Sequence, residues 1–383
     1  MSAEAIAGWR ERTHVVSWRT CWQTVELWTE DGSCGLGEWS DAGSWEATGG
    51  LRRSLADELV GRDVGSALHL VQALSVAAAG RVTQPDSRAE LTILGGLDAA
   101  LCDLAAREAG VPLARWYGGK PAATRCYANI NRAVASRTPD EFARVARAAV
   151  AAGFRAVKCA PFDFLLGARR LAGGLEIAEA VMDAVGAGVE VMLDLHENLS
   201  PGELGAAAPV LRALAPRWVE DAAPLDDLER LESARKLLDV PMAGGEFAAG
   251  VEQIEPAVCA GLLDVVMPDV KHAGGPRRAL DIARFALESG VEVSFHNPTG
   301  PVSTAHSAAA AASLPSPTVL ELAFGEVEWR SRVLEPTERM ENGTLISAGG
   351  VGLAARLADR DFGEPPPPYP GWAAGRSEST GNG

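Results

Sequence analysis

Helix-like and strand-like segments alternate through the second part of the chain at a nearly constant spacing. The helical pattern "TPDEFARVARAAVAAG" precedes the apolar segment "FRAVKCAPF", and this order recurs as far as "TVLELAF". Polar residues at or near the ends of the strand-like segments follow one another at intervals of 23 to 27 residues: Asp194, Glu220, Glu246, Asp269, His296 and Glu321. This spacing is typical of the units of a (β/α)8 barrel, whose parallel strands all end on one rim. The repeat therefore predicts an α/β barrel that gathers these side chains.

The residues before the repeat predict a different architecture. Over residues 14–41 apolar positions alternate with polar ones around the turn Asp31-Gly32, which favours a small antiparallel sheet. From Leu51 to Ala106 apolar residues recur at helical spacing. We predict an N-terminal α+β domain over 1–120, a barrel over 121–330, a C-terminal segment over 331–362 and a disordered Pro-rich tail over 363–383.

Composition excludes several classes of function. The formal net charge of −16 argues against nucleic-acid and anionic-membrane partners, because both require a positive face. A metal can still reverse the local field for an anionic small molecule. The six cysteines are scattered without a C-x-x-C pair, which is typical of reduced thiols. With no secretory pattern at the N-terminus, we expect a cytoplasmic protein.

Three consecutive strand ends carry carboxylates, namely Asp194, Glu220 and Glu246. Three convergent oxygen ligands suit a hard divalent cation and leave positions for water and substrate. The alternative is that each acid is a solvated loop residue or a helix cap. Their shared position at strand ends favours a magnesium site. The sequence shows no cluster of cysteines or histidines that would indicate zinc.

The next two strand ends carry Asp269 in "PDVKHAGG" and His296 in "FHNPTGP". A carboxylate beside an imidazole fixes its tautomer and stabilises the imidazolium, so this pair could act as a general base. The alternative is a structural histidine in the surface or the core. The position of His296 at a Pro/Gly-rich strand end favours the role of general base.

These motifs, together with "LDLH", "WVED", "GGE" and "VLELAFGEVEWR", resemble those of the enolase superfamily, mandelate racemase subgroup. Within it the chain is most similar to acid-sugar dehydratases of the galactonate and gluconate type. The resemblance covers roughly residues 15 to 360. It implies a modified (β/α)7β TIM-type barrel, with an α+β capping domain built from the N-terminal region and the C-terminal segment. It also implies assembly as a homo-oligomer.

The resemblance assigns roles to individual residues. Asp194, Glu220 and Glu246 would bind Mg²⁺, and the Asp269–His296 pair would remove the proton α to the substrate carboxylate. Glu321 would hydrogen-bond the developing intermediate. If the strand persists to His196, this residue shares a face with Asp194. In galactonate-type relatives a histidine at this position protonates the departing hydroxyl.

The sequence departs from its relatives at one catalytic strand. Racemases of the superfamily carry Lys-x-Lys there, whereas this chain has Lys158 followed by Ala160. The missing second base argues against a two-base racemase. We expect Lys158 to be an electrostatic partner of a carboxylate or of the metal site, the alternative being a solvated lysine on the rim. We place Lys271 on the rim and His272 in a structural turn. In the capping loops Trp39, Trp45 and Arg81 are candidates for substrate contact.

The sequence therefore predicts a magnesium-dependent lyase that dehydrates a small polyhydroxy carboxylic acid to a 2-keto-3-deoxy acid. One alternative is a single-base epimerase or racemase. Others are a dehydratase of a non-sugar hydroxy acid and a metal-binding barrel that has lost catalysis.

Overall fold

The computed structural model describes residues 4–17, 20–43, 45–81, 85–359 and 362. The side chains of residues 45, 46, 85 and 86 are not described, so the predicted role of the Trp45 side chain lies outside the described part of the chain. The predicted tail, 363–383, lies outside it as well.

The first elements form a three-stranded antiparallel sheet. Its strands are β1 (Ile6–Val15), β2 (Cys21–Thr29) and β3 (Cys34–Glu38), in that order. The predicted turn joins β2 to β3, where Gly32 has a φ of +85°, a conformation that glycine adopts without steric cost. The expected small sheet is thus present, and it begins earlier than the sequence pattern indicated.

Four helices follow the sheet: α1 (Trp45–Asp57), α2 (Val64–Ala79), α3 (Pro85–Glu108) and the short α4 (Leu113–Trp116). The single helical region inferred from spacing is therefore divided between three long helices. Asp63 caps α2 by accepting a hydrogen bond from the Ser66 amide. Leucine and alanine side chains along α3 are buried, and α3 packs against β3.

Eight parallel strands form the barrel, and β11 closes it by pairing with β4. The strands are β4 (Thr124–Asn129), β5 (Ala156–Cys159), β6 (Glu190–Asp194), β7 (Trp218–Glu220), β8 (Met242–Gly244), β9 (Val265–Val266), β10 (Glu292–Phe295) and β11 (Val319–Ala323). Between them lie α5 (Pro139–Ala151), α6 (Arg170–Val185), α7 (Pro201–Leu214), α8 (Leu228–Leu238), α9 (Val251–Cys259), α10 (Pro276–Glu288) and α11 (Pro301–Ala311). Seven helices between eight strands give the predicted (β/α)7β barrel.

The barrel interior determines which side chains reach the rim. A buried cluster separate from the main core contains Ala156, Met192 and Trp218. Because alternate residues of a strand share a face, Lys158, Asp194 and Glu220 point inward two residues further along the same strands. The main core lies outside the strands, beneath the helices.

The C-terminal segment contacts both parts of the molecule. It contains β12 (Leu334–Glu335), β13 (Arg339–Glu341), β14 (Thr344–Ile346) and β15 (Arg356–Leu357). Strand β14 pairs with β4 of the barrel, whereas the Arg12 side chain of β1 donates to the carbonyl of Ala358. The boundaries at residues 120 and 330 remain predictions.

The capping sheet is fastened to the barrel by a buried carboxylate at the end of β3. Glu38 accepts hydrogen bonds from the Thr299 hydroxyl at 2.7 Å and from the amides of Gly300 and Ser303 at 2.9 Å each. These donors surround the first turn of α11, where a helix favours negative charge. The contact holds the loops of the cap above the barrel rim.

All six cysteines are free thiols, as the sequence predicted. No helix among the described residues is long and apolar enough to cross a membrane.

Candidate active site

The predicted polar residues lie together at the carboxyl ends of the barrel strands. Asp194 and Glu220 end β6 and β7, and the register of these strands places them side by side. His296 directly follows β10. The remaining members are Lys158 in β5, Glu321 in β11, Glu246 after β8 and Asp269 after β9.

Lys158 is the cation at the centre of the acids. Its Nζ lies 2.6 Å from Glu220, 2.8 Å from Glu321 and 3.6 Å from Asp194. The side chain is 1% exposed. Burial acts to lower the pKa of Lys158, but these carboxylates outweigh it and hold the pKa well above its usual value. The predicted electrostatic interaction of Lys158 with the acids is present.

The carboxylates at β6, β7 and β8 carry more negative charge than Lys158 can balance. Burial and the repulsion of Asp194 raise the pKa of Glu220 to about 8. One buried oxygen of Glu246 lies 2.8 Å from His296 Nε2 and yet has no hydrogen bond of acceptable geometry. An under-compensated set of oxygen donors of this kind fits a hard divalent cation. Asp194, Glu220 and Glu246 are the residues that could hold it.

His296 lies between two carboxylates. Its Nδ1 is 2.9 Å from Asp269, and Nε2 is 2.8 Å from Glu246. Burial acts to lower the pKa of His296, but Glu246 and Glu321 outweigh it and hold the pKa well above the usual value. The two strand ends thus meet as the sequence indicated.

His196 reaches Asp194 by a route that differs from the predicted one. Strand β6 ends at Asp194, and His196 has a left-handed backbone with a φ of 43°. The chain therefore turns back, which places His196 Nε2 2.9 Å from Asp194 and Nδ1 2.8 Å from Asp163. These two carboxylates outweigh desolvation and raise the pKa of His196 well above its usual value.

A second group of potential metal ligands adjoins the first at His296, whose Nε2 lies 2.8 Å from Glu246. Ligand atoms of Asp269, His272 and His296 all lie within 4.8 Å of one another, a histidine cluster that the sequence did not predict. Lys271 is buried rather than on the rim, and its Nζ is 3.2 Å from Asp269. This ammonium already compensates the only carboxylate of the group, so the group is the weaker candidate for a divalent cation.

Glu321 lies beneath the cavity, and both of its oxygens are engaged. Oε1 accepts from Asn129 at 2.6 Å and from Lys158, and Oε2 accepts from the Asn297 amide at 2.9 Å. Glu321 thus orients Asn129 and Lys158, which line the cavity. The hydrogen bond between Glu321 and a developing intermediate stays a prediction.

The site opens into a cavity of about 270 Å³. Two of its lining residues come from the capping domain, Thr20 between β1 and β2 and Asp41 between β3 and α1. Trp39 is fully buried against Trp9, and Arg81 pairs with Glu90, so neither predicted contact lies at the cavity.

Asp41, Arg132 and Asp163 also line the cavity and were not predicted from the sequence. Arg132 follows β4 in "NINR" and Asp163 follows β5, so the strand-end rule that found the other residues could also have found these.

Comparison with known protein families agrees with this architecture. Residues 9–118 match the family described as mandelate racemase / muconate lactonizing enzyme, N-terminal domain. Residues 141–361 match the family described as enolase C-terminal domain-like.

Several characterised relatives are sugar-acid dehydratases. The chain is 29% identical over 274 residues to a D-gluconate dehydratase from Thermoproteus tenax, covering 70% of this chain and 55% of that protein. It is 25% identical over 371 residues to a D-xylonate dehydratase from Haloferax volcanii, covering 90% of this chain and 85% of that protein. A D-galactonate dehydratase from Verminephrobacter eiseniae is 25% identical over 287 residues, covering 74% and 73%.

Solved structures share the whole fold. A member of the enolase superfamily from Salmonella Typhimurium superposes with a TM-score of 0.80 at 20% identity, over 93% of this chain and 96% of that one. An enolase protein from the environmental sequencing of the Sargasso Sea superposes with a TM-score of 0.74 at 26% identity, over 88% of this chain and 91% of that one. The two family models match in chain order, the first on the cap and the second on the closed barrel. The chain therefore belongs to the enolase superfamily, in the mandelate racemase subgroup.

Proposed function

We propose that this protein is a magnesium-dependent hydro-lyase that converts a polyhydroxy carboxylic acid into a 2-keto-3-deoxy acid. The observation that carries the proposal is the placement of two histidines across one cavity. His196 follows β6 and His296 follows β10, which are four strands apart in a ring of eight and therefore opposite. Dehydration requires a base at one carbon and an acid at the next. The named activities of the dehydratase relatives support the same chemistry.

His296 is suited to remove the α-proton. Asp269 accepts from Nδ1–H, which leaves Nε2 to take the proton. A cation held by Glu246 would compete with His296 for this carboxylate, and would so weaken one of the charges that raise the pKa of His296.

The carboxylates of Asp194, Glu220 and Glu246 would hold the cation. When bound, it would supply positive charge beside the substrate carboxylate as the enediolate forms. Lys158 adds a fixed positive charge at the same end of the cavity.

His196 is suited to protonate the departing β-hydroxyl. Asp163 fixes Nδ1, and Nε2 carries the proton that is donated. Water leaves, and the enol ketonises to the 2-keto acid.

A test compares wild type with His296→Asn and His196→Asn on a library of acid sugars with magnesium, measuring 2-keto acid. We expect both variants to lose dehydration by about 10²- to 10⁴-fold, the usual contribution of a general acid or base. In deuterated water, His196→Asn should still exchange the α-proton, whereas His296→Asn should not. His69→Asn, an exposed histidine on α2, is the matched control.

Two outcomes would contradict the proposal. Full dehydration by His196→Asn would remove the assigned acid. Deuterium entering recovered substrate of the wild type without loss of water would favour the single-base epimerase. Cytoplasmic location and homo-oligomeric assembly remain predictions from the sequence.

A further inference from the structure

The far end of the cavity is formed by Thr20 and Asp41 of the cap together with Arg132 of the barrel, which we call the distal wall. Arg132 follows β4, which lies four strands round the ring from β8 and therefore opposite Glu246. A substrate whose carboxylate lies at the proposed metal ligands thus extends its other end towards the distal wall.

We propose that the distal wall selects acids with a single carboxylate and a neutral, hydroxyl-bearing far end, and that Asp41 rejects diacids. The proposal rests on the function proposed above, because that function places the substrate carboxylate at Asp194, Glu220 and Glu246.

Arg132 does not offer a free positive charge to a second carboxylate. It lies 3.5 Å from Asp41 and 4.0 Å from Glu326, and it donates to the Thr20 hydroxyl at 3.4 Å. Glu326 is 1% exposed, and burial raises its pKa against the opposing effect of Arg132. Both acids therefore surround this one guanidinium. Burial acts to raise the pKa of Asp41, but Arg132 and, after it, Lys271 hold the pKa below its usual value.

Further carboxylates line the cavity, beside the imidazoles of His196, His272 and His296. Asp163, Asp194 and Glu246 join Asp41 among the lining residues, and the other lysine or arginine of the described lining, Lys158, already has three carboxylates around it. A divalent cation would balance charge at the metal end and not at the distal wall.

Asp41 is accessible to a substrate. Its side chain is 33% exposed, and it lies in the loop between β3 and α1, over the cavity. A terminal hydroxyl can donate to this carboxylate, whereas a second substrate carboxylate would be repelled by it. The distal wall therefore distinguishes an acid with a terminal hydroxyl from the corresponding diacid.

The experiment is calorimetric titration of the full chain with magnesium. The probes are D-gluconate and D-galactonate, each beside the diacid in which the terminal CH2OH is a carboxylate. We expect the wild type to bind one of the monoacids on the order of 100-fold more tightly than its diacid, the scale of a juxtaposed like charge. Asp41→Asn should reduce this ratio at least about tenfold, mainly by tightening the diacid.

Two further variants separate charge from shape. Asp41→Glu keeps the charge and should keep the preference. Glu30→Gln removes one exposed charge elsewhere on the cap and should leave the ratio unchanged. Equal binding of monoacid and diacid by wild type, no binding of either monoacid, or an unchanged ratio in Asp41→Asn would each overturn the inference.

The 2-keto acid assay keeps the two proposals distinguishable. A protein that binds monoacids with this preference but forms no 2-keto acid contradicts the dehydratase function and leaves the selectivity in place. A protein that dehydrates monoacid and diacid equally contradicts only the selectivity.

Discussion

Lys158 shows how strongly one residue can depend on its neighbours. A lysine buried to this degree without partners would lose its proton, because desolvation disfavours the charged form. Here the acids of β6, β7 and β11 keep it charged. The dependence is mutual, since the same acids would repel one another without it.

We predict that Lys158→Met lowers the free energy of unfolding by about 3 to 5 kcal/mol, the usual cost of leaving buried charges unpaired. The measurement is urea denaturation with a chelator present. Lys236→Met is the control, because Lys236 forms an exposed pair with Glu232, and such pairs add little to stability. Similar losses in the two variants would contradict the assigned importance of Lys158.

His272 makes stability depend on pH. Burial lowers the pKa of His272 to about 4 from a usual value of 6.5. As pH falls through 6.5 the unfolded chain takes up a proton that the folded protein does not accept until about pH 4. The residue therefore reduces stability across this window, by about 3 kcal/mol at its lower end.

We predict that His272→Gln flattens the fall in the free energy of unfolding between pH 6.5 and 4. Gln can preserve the hydrogen bond to Thr92, which His272 makes at 2.9 Å. The exposed His69→Gln serves as the reference variant. Identical pH slopes in wild type and His272→Gln would contradict this assignment.

The site residues differ in how far the sequence could predict them. Asp194 and Glu220 were predictable because residues at the ends of parallel strands share a rim. His196 was expected from strand alternation, yet a left-handed turn brings it to Asp194. Asp41 could not be assigned to the site, since the docking of a separate domain decides which residue of its loop reaches the cavity.

At the scale of elements, helix α3 of the cap approaches the barrel closely at a glycine. A Cβ on Gly95 of α3 would overlap the carbonyl oxygen of Lys271. The helix therefore lies directly against the loop that carries Asp269. A glycine in mid-helix reduces helix propensity, and here it permits this packing.

We predict that Gly95→Ala costs about 1 to 3 kcal/mol in stability, as overpacking does, and lowers activity by displacing the Asp269 loop. Gly205→Ala in α7 is the matched control, because nothing lies within 4 Å of the added Cβ. This control should gain about 0.5 to 1 kcal/mol. Thermal denaturation and the 2-keto acid assay measure both effects, and a neutral Gly95→Ala would contradict the packing argument.

The elements were predicted unequally. Helix and strand periodicity identified the β/α units, because each helix covers one stripe of the barrel. The pairing of β14 with β4 was not predicted, since strands this short carry little periodicity and pair through tertiary context.

At the scale of the whole molecule, a bound cation should stabilise the fold. A ligand at 100 times its dissociation constant adds about 2.7 kcal/mol. We predict that magnesium raises the Tm measured by calorimetry and that a chelator reverses the rise. Asp194→Asn should abolish this response, whereas His272→Gln should retain it. The reverse pattern would assign the cation to Asp269, His272 and His296.

The attachment of Glu38 also has a consequence for synthesis on the ribosome. Its acceptor oxygens meet Thr299, which lies 261 residues further along the chain. The cap is therefore synthesised before most of the barrel, and Glu38 cannot accept from Thr299 until that residue has left the ribosome. Contacts between such distant residues slow folding, and the surface of the cap that the barrel has not yet covered is prone to aggregation. Yield of active protein should therefore depend on translation speed and chaperone supply more than on the stability of the finished enzyme.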